Sequence, residues 1–206
     1  MKQKSKKIIV IAIIALIILA GIVVVNVWGF NKELKFENSD RIDIYVEQEV
    51  DKNKIREIAD EFLGMHNMVQ TVEIYEDMVT IRAITISEEQ KNNIVNKIKE
   101  NYEFEQTAES TGINTVPETR IRDMYKQYIL PFAISAVLVV AYMIIRYYKK
   151  GILKVLGRTI IIPTVAELLL LSWIAIVRIP VGRFIPVLVI LMYIASVLYV
   201  IKENEK

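Results

Sequence analysis

The chain of 206 residues contains no cysteine and a single histidine, His66. Without thiols it can form neither a disulfide framework nor a thiolate-bound metal centre, and one histidine is too few for the usual zinc sites. No glycine-rich phosphate-binding loop is visible, and the carboxylates of the polar region are scattered along the sequence. We therefore expect a protein that is not an enzyme and that holds no metal and no cofactor.

Charge is nearly absent from four apolar runs, at residues 8–28, 129–145, 159–177 and 184–201. A helix rises about 1.5 Å per residue and bilayer hydrocarbon is about 30 Å thick, so each run is long enough to cross a membrane. Four lysines precede the first run, and no Ala-x-Ala cleavage motif follows it. The sequence predicts a membrane protein with four transmembrane helices, the first of which is an uncleaved signal anchor.

Lysine and arginine in the short loops predict the orientation, because such loops stay on the cytoplasmic side. Four lysines lie before the first run, and the loop 146–158 has five cationic residues, whereas the loop 178–183 has two arginines. We therefore predict a multi-pass protein of the bacterial cell membrane with both termini cytoplasmic. Residues 31–127 would then be extracytoplasmic.

The net charge of +2 conceals a strong segregation. Residues 31–127 contain 13 Lys or Arg and 21 Asp or Glu, a net charge of −8, and the remaining residues contain 13 and 3, a net of +10. A basic membrane part suits an anionic lipid bilayer. The acidic outer segment argues against nucleic acid as a partner.

The outer segment alternates predicted strands and helices. Strands are expected at 41–47, 71–75, 78–86 and 102–107, with a hairpin turn at Glu76 and Asp77. One helix would begin at the cap Asp51 and end at Gly64, and another would begin at Ser87, which has capping-box spacing to Gln90. The order β-α-β-β-α-β is that of an α+β ferredoxin-like domain.

The predicted domain boundaries follow from these elements. Residues 1–30 form the cytoplasmic N-terminus and first transmembrane helix, and residues 31–110 the extracytoplasmic ferredoxin-like domain. Residues 111–128 form a connector and a lead-in helix with Pro117 in its first turn. Residues 129–206 contain transmembrane helices 2–4 and the cytoplasmic tail.

Glu167 is the one charged residue inside an apolar run. An ionised acid at that depth costs roughly 2.5 to 3.5 kcal/mol, so intramembrane acids usually face a bundle interior and often serve proton or ion pathways. Glu167 is therefore the candidate for proton or ion coupling. The alternative is a neutral side chain that joins two helices by a hydrogen bond. Pro163 lies one turn earlier and is expected to kink the helix and free a carbonyl beside the acid.

Small and polar side chains mark possible helix contacts in the last two runs. Tyr193, Ser196 and Tyr199 recur at spacings of three on one stripe, and Ser172 lies near the end of the third run. With Pro163 they are candidates for lining the bundle or for contacting another helix. Interior lining and subunit contact both remain open for this stripe.

The layout and three short segments resemble SecF, the smaller partner of SecD in bacterial protein export, within the RND superfamily. The segment 41–56 is similar to the start of the SecF outer domain, Tyr-Met-Ile-Ile-Arg at 142–146 to the end of its second span, and Ile-Lys-Glu-Asn at 201–204 to the end of its fourth. The usual six spans are shortened here to four. The His-Asp pair of the SecF third span falls near Ala166 and Glu167, which keeps an acid and loses the histidine.

The resemblance implies an auxiliary subunit of the Sec translocase that assists proton-gradient-linked export. Its partners would be a SecD-like subunit, the Sec channel and the translocating polypeptide, and Glu167 would be the proton-linked group. Two other classes of function stay open. One is a non-transporting scaffold or sensor whose outer domain binds a partner, and the other is part of an RND-type exporter of small molecules or lipids.

Overall fold

A computed structural model of the chain describes residues 2–72 and 75–205. Its elements in chain order are α1 (Lys2–Trp28), β1 (Ser39–Tyr45), α2 (Lys52–Leu63), β2 (Asn67–Val72), β3 (Tyr75–Ala83), α3 (Glu88–Asn101), β4 (Ile113–Val116), α4 (Ile121–Tyr147), α5 (Ile152–Val177) and α6 (Ile185–Glu205). Short 3-10 helices lie at Leu34–Phe36 and Tyr148–Lys150. The chain forms two compact units, a helical unit of Met1–Asn31 with Ile121–Lys206 and a sheet unit of Lys32–Arg120.

Four helices, α1, α4, α5 and α6, are each long and apolar enough to cross a membrane. The prediction of four helices able to span a membrane is therefore confirmed for the described residues, and it is compatible with a multi-pass membrane protein. The third span begins earlier than predicted, because α5 starts at Ile152 rather than at residue 159. The reason is that Val155 continues the apolar face of α5 and is buried against Met143, Tyr147 and Val200.

The predicted lead-in helix is continuous with the second span, and it begins at Ile121. The expectation that Pro117 lies in the first turn of this helix is wrong, because residues 117–120 are not helical. Their backbone is used by the sheet unit instead. The amide of Thr119 donates to the carbonyl of Phe36 at 2.9 Å, and Lys32 Nζ donates to the carbonyl of Thr119 at 3.0 Å.

The helices of the helical unit alternate in direction, with α1 and α5 parallel. The C-terminal ends of α1 and α5 meet where the amide of Val181 donates to the carbonyl of Asn31 at 2.7 Å. The start of α4 joins them, since Tyr125 donates to the carbonyl of Gly182 at 2.9 Å. We call this the Arg178 end. The end of α4 and the end of α6 meet at the opposite, Glu205 end, where Arg146 pairs with Glu205.

In the sheet unit a four-stranded antiparallel sheet has the order β2-β3-β1-β4. Helices α2 and α3 pack on one face of it, because both have an apolar stripe at helical spacing. The core side chains are Ile42, Ile44, Val46, Ile55, Ile58, Val69, Val79, Ile81, Ile94, Val95, Ile98 and Phe104. Both predicted caps are present, since Asp51 accepts from the amide of Asn53 and Ser87 and Gln90 form a capping box.

The predicted turn at Glu76 and Asp77 is wrong, because both residues lie within β3. The pairing of β2 with β3 is irregular at this point: Thr71 pairs with Val79, whereas Val72 pairs with Tyr75. Glu76 and Asp77 therefore lie in β3 between two paired residues. Residues 73 and 74, which fall within the predicted strand 71–75, lie outside the described residues.

The predicted final strand at 102–107 is also wrong, and the fourth strand is Ile113–Val116, in a stretch that we read as a connector. β4 pairs only with the first half of β1, from Ser39 to Ile42. Beyond that point the side chain of Gln106 takes the place of a strand. Its Oε1 accepts from the amide of Tyr45 at 2.7 Å, and its Nε2 donates to the carbonyl of Asp43 at 3.2 Å.

Candidate functional site

Helix α5 is the centre of the helical unit, because it packs against α1, α4 and α6. Glu167 is the sixteenth of its 26 residues. It therefore lies about 22 Å from the start of the helix and about 15 Å from its end. The acid is thus placed well inside the candidate span, far from both ends of the helix.

The register of α5 against α6 gives the surroundings of this acid. Arg158 Nη1 donates to Asn204 Oδ1 at 3.3 Å near one end, and Ile174 packs with Ile185 near the other. Since the two helices run antiparallel, Glu167 lies at about the level of Tyr193 and Ser196 on α6. Two of the residues in the predicted polar stripe are therefore at the depth of the acid.

Both carboxylate oxygens of Glu167 are buried and have no hydrogen-bond partner among the described residues. A buried polar group without a partner costs roughly 1 to 3 kcal/mol, and more if it is charged. The guanidinium of Arg178 donates to the carbonyl of Gly29 and not to the carboxylate of Glu167. Within the described part of the chain, the acid is therefore an unsatisfied group.

Pro163 is buried within α5, which continues through it as one helix. A proline lacks the amide that would bond to the carbonyl four residues before it, so the carbonyl that loses its donor is that of Thr159. Thr159 is eight residues from Glu167, or about 12 Å along the axis. The expectation of a free carbonyl beside the acid is therefore wrong.

A groove of about 810 Å³ lies between α4 and α6, with Leu171 and Ile174 of α5 on its floor. Its lining is almost entirely apolar and aromatic, and Phe132 and Tyr193 meet within it edge to face at 4.9 Å between ring centroids. Leu171 is one turn beyond Glu167 on the same face of α5. The unsatisfied acid therefore lies next to the groove floor.

The other candidate residues separate into interior and surface positions. Ser172 is buried against α1, where its Oγ lies 3.5 Å from the carbonyl oxygen of Ile18. Ser196 is buried and donates to the carbonyl of Tyr193 at 2.7 Å. Tyr199 is 54% exposed on the surface of the unit. Tyr193 and Ser196 thus line the interior, and Tyr199 remains a candidate for contact with lipid or another subunit.

Gly21 is a contact residue that the sequence analysis missed. Among residues 6–28 of α1 it is the one buried residue, and a Cβ built on it would overlap the Cβ and Cα of Ser172. The glycine therefore allows the backbones of two parallel helices to approach closely. The signal was a single glycine within an uninterrupted apolar run, which does not by itself show where the partner helix lies.

The comparisons with known proteins give no relative: no family model matches this sequence, and no curated protein matches it. The described residues contain no group of three or more His, Cys, Asp or Glu that could hold a metal ion. Glu167 and the groove beside it are therefore the features that define the candidate site.

Proposed function

We propose that the chain is a SecF-like auxiliary subunit of the Sec translocase, which assists proton-gradient-linked protein export together with a SecD-like partner. The observation that carries the proposal is Glu167, a buried acid with no partner among the described residues, in the central helix of the helical unit. An acid at this depth is costly to keep, and such residues often mark proton or ion pathways, so its position favours a role in proton coupling.

The sheet unit supports the proposal through its connectivity. In the order β2-β3-β1-β4, α2 joins β1 to β2 and α3 joins β3 to β4, and every neighbouring pair of strands is antiparallel. This is the order expected of a ferredoxin-like domain, the class that the resemblance to SecF implies. We infer that the unit is the extracytoplasmic domain, in contact with the SecD-like subunit or with the polypeptide.

The charges at the two ends of the helical unit support the orientation in the bacterial cell membrane. The Glu205 end carries Arg146, Lys149, Lys150, Lys154, Arg158 and Lys202 besides the lysines that begin α1. Asn31 and Ile121, at which the chain leaves and re-enters this unit, belong to the Arg178 end. A cytoplasmic Glu205 end therefore gives cytoplasmic termini and an extracytoplasmic sheet unit.

The proposal is tested by purifying the tagged full-length chain from its own membranes in a mild detergent and identifying the proteins that come with it. A SecD-like protein and the Sec channel are the expected companions. A purification that recovers partners of another class, with neither of these two, would overturn the assignment in favour of a scaffold or sensor.

A further inference from the structure

The sheet has a second face, opposite α2 and α3, on which two arginines lie side by side. Arg41 of β1 and Arg82 of β3 are direct cross-strand partners, and Arg41 is also opposite Asn114 of β4. Residues that pair across antiparallel strands point to the same face, so this row presents two guanidinium groups and an amide. Two like charges in this position destabilise the sheet, yet they stand in a segment whose net charge is −8.

Among the described contacts, one carboxylate pairs with the two arginines. Asp43 pairs with Arg41 Nη2 at 2.7 Å and accepts from Thr80 at 2.7 Å. Arg82 donates instead to two uncharged oxygens, Ser39 Oγ and the carbonyl of Glu37. One positive charge of the row is therefore not neutralised by any described ion pair.

The row also keeps hydrogen-bond donors that are not used. Nε of Arg41 is buried and has no partner among the described residues. No hydrogen bond is made by Nη1 of Arg41 or of Arg82 within the described contacts. Burial and the neighbouring Arg41 both lower the pKa of Arg82, so its surroundings disfavour the positive charge. An oxyanion that accepts an N–H bond from each of the two guanidinium groups would offset this effect.

We propose that this face binds an extended polypeptide through the carboxylate of one acidic side chain, received between Arg41 and Arg82. The choice of a polypeptide rests on the proposed function, in which the outer domain meets a chain in transit. The spacing of the sheet fits such a ligand. Its rows on one face are about 6.8 Å apart, which is also the distance between alternate side chains of an extended chain.

The rows beside the arginines indicate which other side chain of the peptide would be bound. Two rows along, Tyr45 pairs with Met78, and the Tyr45 side chain is half exposed. A peptide laid along β1 therefore places an apolar side chain over these two residues when that side chain is four positions from the acid. The expected ligand is an extended segment with Asp or Glu followed or preceded, four residues away, by an aromatic or aliphatic residue.

The test uses purified full-length protein and a fluorescent peptide with one glutamate and a leucine four positions away, with serine and threonine between them. Binding is followed by fluorescence anisotropy at low salt. Exchange of the peptide glutamate for glutamine is expected to weaken binding about tenfold, as loss of a charge-assisted pair does. Arg82→Gln should cause the same loss with the glutamate peptide, and no further loss with the glutamine peptide.

Lys97→Gln is the matched control, because it removes an equal charge on α3, where Lys97 pairs with Glu100. It should leave the affinity unchanged. The exchange within the peptide needs no change to the protein, so it decides the question even if Arg82→Gln does not fold. Equal binding of the two peptides would overturn the proposal. Binding to anionic lipid vesicles through Arg41 and Arg82, without binding to the peptide, would overturn it as well.

This experiment is independent of the test of the proposed function. Peptide binding is measured on the isolated protein, whereas the SecD-like partner is sought by purification from membranes. A chain that binds the acidic peptide but recovers no SecD-like protein would keep this site and lose the proposed function.

Discussion

Arg178 at the end of α5 donates from Nη1 to the carbonyl oxygen of Gly29 at the end of α1, at 2.7 Å. In the opposite direction, Asn31 Nδ2 donates to the carbonyl of Arg178 at 2.9 Å. The last carbonyls of a helix have no intrahelical donor and carry the negative end of the helix dipole. Arg178 therefore supplies a hydrogen-bond donor to the C-terminal end of α1.

We expect Arg178→Gln to destabilise the helical unit by about 1 kcal/mol, because the charge-assisted bond to the Gly29 carbonyl is lost. The measurement is the midpoint of thermal unfolding of the full chain in detergent. Arg183→Gln, which removes the other arginine of the same loop, is the control and should leave the midpoint unchanged. Equal midpoints for all three proteins would show that the contact contributes nothing.

The orientation is tested with single cysteines, which the chain offers without background because it has none of its own. A cysteine at the exposed Asn92 of α3 should react with an impermeant maleimide in intact cells. One at the exposed Lys150 should react only after the membrane is opened. Gly151 is avoided, because its φ of 94° disfavours a side chain. Reversed labelling would invert the orientation.

Gly21→Ala should weaken the packing of α1 on α5 by roughly 1 to 3 kcal/mol, because the new methyl group overlaps Ser172. Thermal unfolding of the full chain in detergent measures this loss. Ala20→Val adds bulk on the exposed side of the same helix and should have little effect. A midpoint of Gly21→Ala equal to that of the parent protein would mean that α1 and α5 are not in close contact at Gly21 and Ser172.

Glu167 is expected to act through its proton. Glu167→Gln keeps the volume but cannot titrate, so it should abolish the part of secretion that depends on the proton gradient while membrane abundance stays normal. Glu167→Asp should retain part of it. The readout is export of a slowly secreted reporter beside quantification of the subunit. Full activity of the Gln variant would remove proton coupling from the proposal.

Glu167→Leu separates coupling from a structural role. Since the acid has no partner in the described chain, its removal should leave the thermal stability of the isolated protein unchanged or higher. If the acid instead holds a helix of another subunit, the Leu variant should lose that association by about 0.6 to 2 kcal/mol. Retention of the partner during purification of the variant measures this.

Gln106→Leu should expose the edge of β1, because the amide of Tyr45 and the carbonyl of Asp43 lose their partner. We expect faster hydrogen exchange at the Tyr45 amide and a loss of stability of about 1 kcal/mol. Gln70→Leu, on the exposed surface of β2, is the matched control. Unchanged exchange at Tyr45 would show that the side chain of Gln106 does not protect this amide from water.

The parts of the fold that the sequence predicts depend on local or strongly periodic signals. The four apolar runs, the cap at Asp51 and the capping box at Ser87 are of this kind. The fourth strand was placed wrongly because Tyr102 and Phe104 alternate with polar residues as a strand would. Only the tertiary structure shows that the Gln106 side chain bonds to β1 there.

Of the candidate site, the sequence identifies the charged residue, Glu167, but not its surroundings. Glu167 stands out because an acid in an apolar run is costly wherever it faces. Its lack of a partner could not be foreseen, since that depends on how α5 packs. Gly21 was missed for a related reason. α1 is apolar on all sides, so its sequence does not mark the face that meets α5.

The pairing of α1 with α5 has a consequence for biosynthesis. α1 is synthesised before α5, and 123 residues separate its last residue, Trp28, from Ile152, the first residue of α5. At about 5 to 20 residues per second, translation of that interval takes roughly 6 to 25 seconds. During this time the sheet unit is synthesised before the partner of α1 exists. A transmembrane α1 must therefore be stable without α5, which its long uncharged run allows.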